Sequence, residues 1–371
     1  MRKQNKILLI ALCVAAAVLL AALLIFISIY IPRFRTIGTI EQLTDYADGY
    51  NLYRMDVKYD YSIDDIIDYG IKDDQTMIDA ILSEALPLLP VKIEAPKFAC
   101  TAFTLTTDDG DVHMGRNYDF KDNTSAMLVY CSPKDGYKSV AFAALNNVKA
   151  NTPDKNVKSK LSSLTAPFIC LDGMNEKGVS IAVLTLDSEA VHQDTGKQTI
   201  SPSIAIRLVL DRAATTEEAV ELLRKYDMFA SSGRDYHYYI TDASGDGRVV
   251  EYDCESETRE LVATPINAIT NFYALYIEKV LPNQENGIYG HGKERYEAVL
   301  NVFDEQKGNY TVDTVWAALK ASSQEPNDAI ITSNTQWSID FNNTDLTLDI
   351  VLRRNWDDVT GYTLATNEIK K

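Results

Sequence analysis

Residues 7–31, ILLIALCVAAAVLLAALLIFISIYI, run for twenty-five positions without a charged side chain. As a helix such a run spans about 37 Å, more than the roughly 30 Å of a bilayer's hydrocarbon. A cleaved signal peptide has a shorter apolar core, about 7–15 residues, followed by a small-x-small site. The stretch FISIYIPRFR offers no such site. Residues 1–32 therefore read as an uncleaved transmembrane anchor. The positive cluster MRKQNK ahead of the run favours a cytoplasmic N-terminus and an exported body, although Arg33 and Arg35 flank the other end. The expected location is a single-pass position in the cell membrane, with the rest of the chain extracytoplasmic.

The remaining chain is long enough for one large domain or two modest ones. The net charge of −17 over the whole sequence excludes a broad nucleic-acid face and disfavours wide adhesion to anionic lipid, while leaving room for a local basic pocket. The five cysteines are too few and too scattered for a disulfide framework or a CxxC metal site. Cys131, Cys170 and Cys254 fall in apolar, strand-like segments, as buried structural thiols do.

Three divisions follow: 1–32 as anchor, 33–99 as a helical stalk or propeptide, and 100–371 as the main domain. In the middle section SIDDIIDYG and DDQTMIDAILSEALPLL have helical apolar spacing, and Pro87, Pro90 and Pro96 then break helix formation. From residue 100 the pattern turns to strands: TAFTLTT, a DDGD turn and VHMGRNYDF make a hairpin, and AMLVYC, SVAFAAL and GVSIAVLTL follow. Helices are expected at SPSIAIRLVLDRA, TTEEAVELLRKY, KERYEAVLNVF and TVDTVWAALKAS, with strands between and after them. Strand blocks separated by helix pairs predict an α+β fold of helices packed on sheets.

Two familiar motifs fail. GIYGHGKE approaches a phosphate-binding loop, but Glu294 replaces the required hydroxyl and no buried strand precedes it. DASGDGRVVEYD begins like a calcium-binding loop but ends in Asp253 and lies between strands, so an Asp/Gly-rich turn explains it. The four histidines have no metal-ligand spacing, and no cofactor is implied.

Cys100 differs from the other cysteines by its companions. A chain cut between Ala99 and Cys100 would carry both a thiol and an α-amine there, and an α-amine titrates near 7.7–8.0, so it can serve as base without a histidine. Arg116 would favour thiolate and Asp119 could orient the amine. Arg116 and Asp119 differ by an odd number, so in a regular strand they face opposite sides; one must sit at a bulge or beyond the strand's end. The plain alternative is a buried cysteine beside an ordinary hairpin.

CTAFTLTTDDGDVHMGRNYDF resembles the mature amino-terminus of choloylglycine-hydrolase-family enzymes, which include bile salt hydrolases, penicillin V acylases and linear-amide-hydrolase relatives such as acid ceramidase. DGMNEKGVSIAVLTL, AITNF and KERYEAV are similar to later family segments, in the same order. The resemblance implies a four-layer αββα N-terminal-nucleophile sandwich. It implies that Cys100 forms a thioester with a linear N-acyl amide, that the Asn271 side chain and a backbone N–H near Thr185 stabilise the oxyanion, and that Arg116, Asp119 and Arg295 complete the site. Threonine at 185 departs from the asparagine of bile salt hydrolases and the tyrosine of penicillin V acylases, which puts both substrate classes in doubt. The long preamble resembles branches that cleave themselves before the cysteine, so cleavage between Ala99 and Cys100 is expected; whether the propeptide then stays bound as a small subunit is left open by the sequence. The resemblance also allows a homo-oligomer, and acyl transfer on the same scaffold. A non-catalytic, membrane-tethered binding or sensory domain is the alternative from another class.

Overall fold

A computed structural model describes residues 2–87, 99–282, 290–327, 329 and 333–370. Pro90 and Pro96, and the first three residues of GIYGHGKE, lie outside the described residues. Two sheets face one another. The first has nine strands in the order Glu41–Gln42, Leu52–Asp56, Ala126–Cys131, Ser139–Ala144, Cys170–Asn175, Ser180–Leu186, Asp235–Thr241, Arg248–Tyr252 and Leu261–Pro265. The second has seven: Ala268–Ile269, Ala99–Thr106, Val112–Asp119, Thr335–Asn342, Thr347–Leu352, Val359–Thr363 and Glu368–Lys370.

The strand Ala99–Thr106 meets both Ser180–Leu186 and Asp235–Thr241 of the opposite sheet. Helices Pro202–Arg212 and Thr216–Leu223 cover the outside of the first sheet; Lys293–Glu305 and Val312–Ala321 cover the outside of the second. The alternating blocks predicted helices packed on sheets, and the order helix pair, sheet, sheet, helix pair is the one the resemblance implied. Every strand position from Val112 to Asp119 is buried, as a strand sandwiched on both faces must be.

The hairpin turns at Gly110, whose φ of +99° is the left-handed conformation that glycine adopts without strain. Ala102 lies opposite Arg116, Cys100 opposite Tyr118, and Ala99 opposite Asp119. The odd spacing of Arg116 and Asp119 has a simple resolution. Asp119 is the last residue of its strand, and the partner strand's register shifts there, between Thr335 and Trp337.

The section 33–99 is less helical than its spacing suggested. Helices Ile63–Asp68 and Asp74–Ala85 form as expected, capped by Ser62 and Asp73. Two strands accompany them, and Leu52–Asp56 pairs in parallel with Ala126–Tyr130 inside the first sheet. Tyr59 Oη donates to Leu164 O at 2.6 Å, and Asn51 N donates to Ser125 Oγ at 2.9 Å. Helix Ile63–Asp68 lies against Pro202–Arg212, whose residues 202–211 are all buried.

The first helix, Arg2–Ile37, is long and apolar enough to cross a membrane by length and composition, and most of its apolar side chains are exposed. Its far end is docked. Arg33 Nε donates to Ala85 O at 2.7 Å, a cation placed on the carbonyl end of helix Asp74–Ala85.

Candidate active site

Cys100 is the second residue of its strand and is fully buried. Its backbone nitrogen donates to Asn271 Oδ1 at 3.1 Å. Burial pushes the thiol up to about 12, against the pull of the Arg116 guanidinium; the Asp119 and Asp172 charges add to the rise.

Arg116 is also fully buried. Its Nε donates to Asp172 Oδ2 at 2.9 Å, Nη1 to Asn117 O at 2.6 Å and Nη2 to Val183 O at 3.3 Å. Trp337 Nε1 donates to the same Asp172 oxygen at 3.1 Å. Burial raises Asp172 against the opposing Arg116 charge. A guanidinium without solvent needs such a partner, and Asp172 supplies it.

Asp119 accepts from Thr335 Oγ1 at 2.6 Å and from Gln324 Nε2 at 2.9 Å, with Arg295 Nη1 at 3.5 Å. Burial raises its carboxyl, and Arg295 with the two hydrogen bonds opposes that rise. Arg295 enters from the first turn of helix Lys293–Glu305. Its Nη1 donates to Cys100 O at 2.8 Å and its Nη2 to Asn271 Oδ1 at 2.8 Å. That helix starts tightly. Gly292 has φ +93°, and a Cβ there would meet the Arg295 guanidinium and Thr270 Oγ1.

Asn271 ties the group together. Its oxygen receives Cys100 N and Arg295, while Nδ2 donates to Thr185 O at 2.8 Å. The amide carries two hydrogens, so one stays free to meet an oxyanion. Thr185 is buried, and its Oγ1 has no hydrogen-bond partner among the described residues.

Five residues drawn from positions 100 to 295 thus share one buried group, with Thr185 at its edge. In the intact chain the Cys100 nitrogen is an amide directed at Asn271, not at Asp119. Asp172, Thr335, Gln324 and Trp337 were not anticipated as members. Asp172 opens the DGMNEKG segment, so its motif was visible although its role was not. The other three come from a region without a motif. Among the described residues no group of three or more His, Cys, Asp or Glu side chains is placed to hold a metal ion.

Residues 100–259 match the family model described as linear amide C-N hydrolases, choloylglycine hydrolase family. Among solved structures, penicillin V acylase from Agrobacterium tumefaciens is similar with TM-score 0.51 and 20% identity, over 72% of this chain and 86% of that one. A variant of conjugated bile acid hydrolase from Clostridium perfringens is similar with TM-score 0.53 and 18% identity, over 73% of this chain and 96% of that one. At these identities the structures speak to the fold, which is that of N-terminal-nucleophile hydrolases.

Proposed function

We propose a mechanism for a chain that belongs to the linear amide C-N hydrolases of the choloylglycine hydrolase family, and so is a hydrolase of linear amide bonds: Cys100 is its nucleophile and is released by cleavage of its own precursor. In that step Cys100 Sγ attacks the Ala99 carbonyl carbon and the Ala99–Cys100 C–N bond breaks. The peptide nitrogen takes up a proton, and water hydrolyses the resulting thioester. An amide that could only donate becomes an α-amine able to accept a proton near neutral pH.

The same atoms then serve turnover. The amine takes the thiol proton as sulfur attacks an N-acyl amide carbonyl, and returns it to the departing amine nitrogen. Water hydrolyses the acyl thioester with the amine again as base. Arg116 offsets the charge on sulfur, Asp119 steadies the new ammonium, and Arg295 holds the Cys100 carbonyl and Asn271 in register. The free Asn271 hydrogen and a backbone N–H at Thr185 meet the oxyanion; loss of one such donor typically costs about 3–4 kcal/mol. The observation that carries this reading is Asn271 Oδ1, which joins Cys100 N and Arg295 across 171 and 24 residues of sequence. A binding domain has no need of that convergence.

Residues 1–32 are proposed as a membrane anchor and 33–99 as a subunit retained after cleavage. Retention is favoured by the parallel strand Leu52–Asp56 and by helix Ile63–Asp68, whose loss would expose the buried flank of Pro202–Arg212. Intact mass and amino-terminal sequencing test the whole proposal. Wild type should yield a chain starting at Cys100, and Cys100→Ala should stay whole; both proteins uncut after long incubation would remove the α-amine and the mechanism with it.

A further inference from the structure

Asn271 sits on a short strap, residues 270–275, and the strap is held at both ends by two buried side chains from the opposite sheet. His237, on strand Asp235–Thr241, has Nε2 3.0 Å from Thr270 O. A carbonyl only accepts, so Nε2 is the nitrogen that carries the proton there. Its Nδ1 faces Glu251 Oε2 at 3.4 Å, a contact that is a hydrogen bond only when Nδ1 is protonated as well. Glu251, on the adjacent strand Arg248–Tyr252, accepts the backbone amides of Ala274 at 3.0 Å and Leu275 at 2.6 Å. Both His237 and Glu251 are fully buried. Thr270 turns the grip toward the site, since its Oγ1 donates to Gly292 O at 2.9 Å, at the start of the helix that bears Arg295.

We infer that His237 and Glu251 form a buried clamp that fixes the strap and thereby the position of Asn271, making both positioning residues for the proposed reaction. The catalytic meaning rests on the assignment of Asn271 to the oxyanion; the clamp itself does not. Hydrogen bonds made without solvent are costly to leave half made, so losing one jaw should free the strap as a whole. A donor aimed at an oxyanion is effective only when held in place before the reaction.

The test uses the full chain in detergent. His237→Gln keeps an N–H near the Nε2 position, His237→Leu removes it, and His237→Asn moves it to the Nδ1 side, which keeps the test alive if the leucine variant does not fold. Hydrogen exchange of residues 268–276 reads the clamp without any substrate, with helix Val312–Ala321 as the reference. Leucine and asparagine should speed exchange in that segment alone, and glutamine should restore it. With penicillin V as probe, the same two variants should lose about tenfold or more in kcat with KM nearly unchanged, and glutamine should recover most of it. On an Asn271→Ala background His237→Leu should cost nothing further. Unchanged exchange in 268–276, or glutamine as impaired as leucine, overturns the clamp. Full kcat in Asn271→Ala alone overturns the oxyanion assignment instead, and if penicillin V is not turned over the exchange result decides.

Discussion

Asn271 Oδ1 accepts the backbone N–H of Cys100 at 3.1 Å and the Arg295 guanidinium at 2.8 Å, so one side chain fixes both the Cys100 nitrogen and its neighbouring cation. Asn271→Ala strands two buried donors, each costing about 1–3 kcal/mol. A lowered Tm and slowed release of the Cys100 chain should follow, the first by thermal melting and the second by intact mass over time. Asn271→Asp keeps an acceptor for both donors but sets an oxygen against Thr185 O and removes the free N–H, so it should recover part of the stability and none of the activity. Recovery of both would leave the amide hydrogen without a role.

The Arg116–Asp172 pair predicts a different pattern. Asp172→Asn leaves a fully buried guanidinium without its counter-charge, a change that destabilises by about 3–5 kcal/mol. Replacing both partners by apolar groups, Arg116→Met with Asp172→Leu, should cost less than the single change, because no charge is left behind. Denaturant unfolding of the three proteins measures this. A double variant less stable than Asp172→Asn would mean that the pair stabilises the fold beyond compensating its own burial.

Much of this arrangement was legible because chemistry and pattern coincide. Cys100, Arg116 and Asp119 lie on one hairpin with a DDGD turn, and alternation with helix-period blocks predicted the layers. The strand Leu52–Asp56 was not legible. Its LYRMD mixes polarity without alternation, because neighbours remote in sequence bury it on both faces and its parallel partner begins seventy residues later. Gln324, Thr335 and His237 escaped for a related reason. Polar residues inside apolar strands or in a loop mark nothing until tertiary contact pairs them with Asp119 or Thr270.

The Cys100 thiol, pushed up to about 12 chiefly by burial, should be nearly inert in the uncut chain. At pH 7 the thiolate fraction is on the order of 10⁻⁵, against a few per cent for a free cysteine. Alkylation of the uncut fraction by iodoacetamide, followed by intact mass, should therefore rise about tenfold per pH unit through the alkaline range. Asp119→Asn should speed it, since that carboxylate adds to the rise, and Arg116→Met should slow it. Neutral-pH alkylation at the rate of an exposed cysteine would contradict the burial argument.

Away from the site, His113 Nδ1 lies 2.8 Å from Asp340 Oδ1, both nearly buried. Burial by itself would lower the imidazole, but the hydrogen bond and charge of Asp340, with Asp111 and Asp109 behind it, raise it above its usual value. The folded state therefore holds that proton more tightly than the unfolded chain does. The stability it contributes is complete below about pH 6.5, the unperturbed value, and is lost as pH climbs through the raised folded value. Melting temperature should fall across this window in the wild type and stay flatter in His113→Gln. Asp349, raised by burial and by Asp340, contributes a slope of the same sign but from the carboxylate range upward, so its effect begins at lower pH. Equal slopes in wild type and His113→Gln above pH 6.5 would show that the pair holds its proton no more firmly than solvent does.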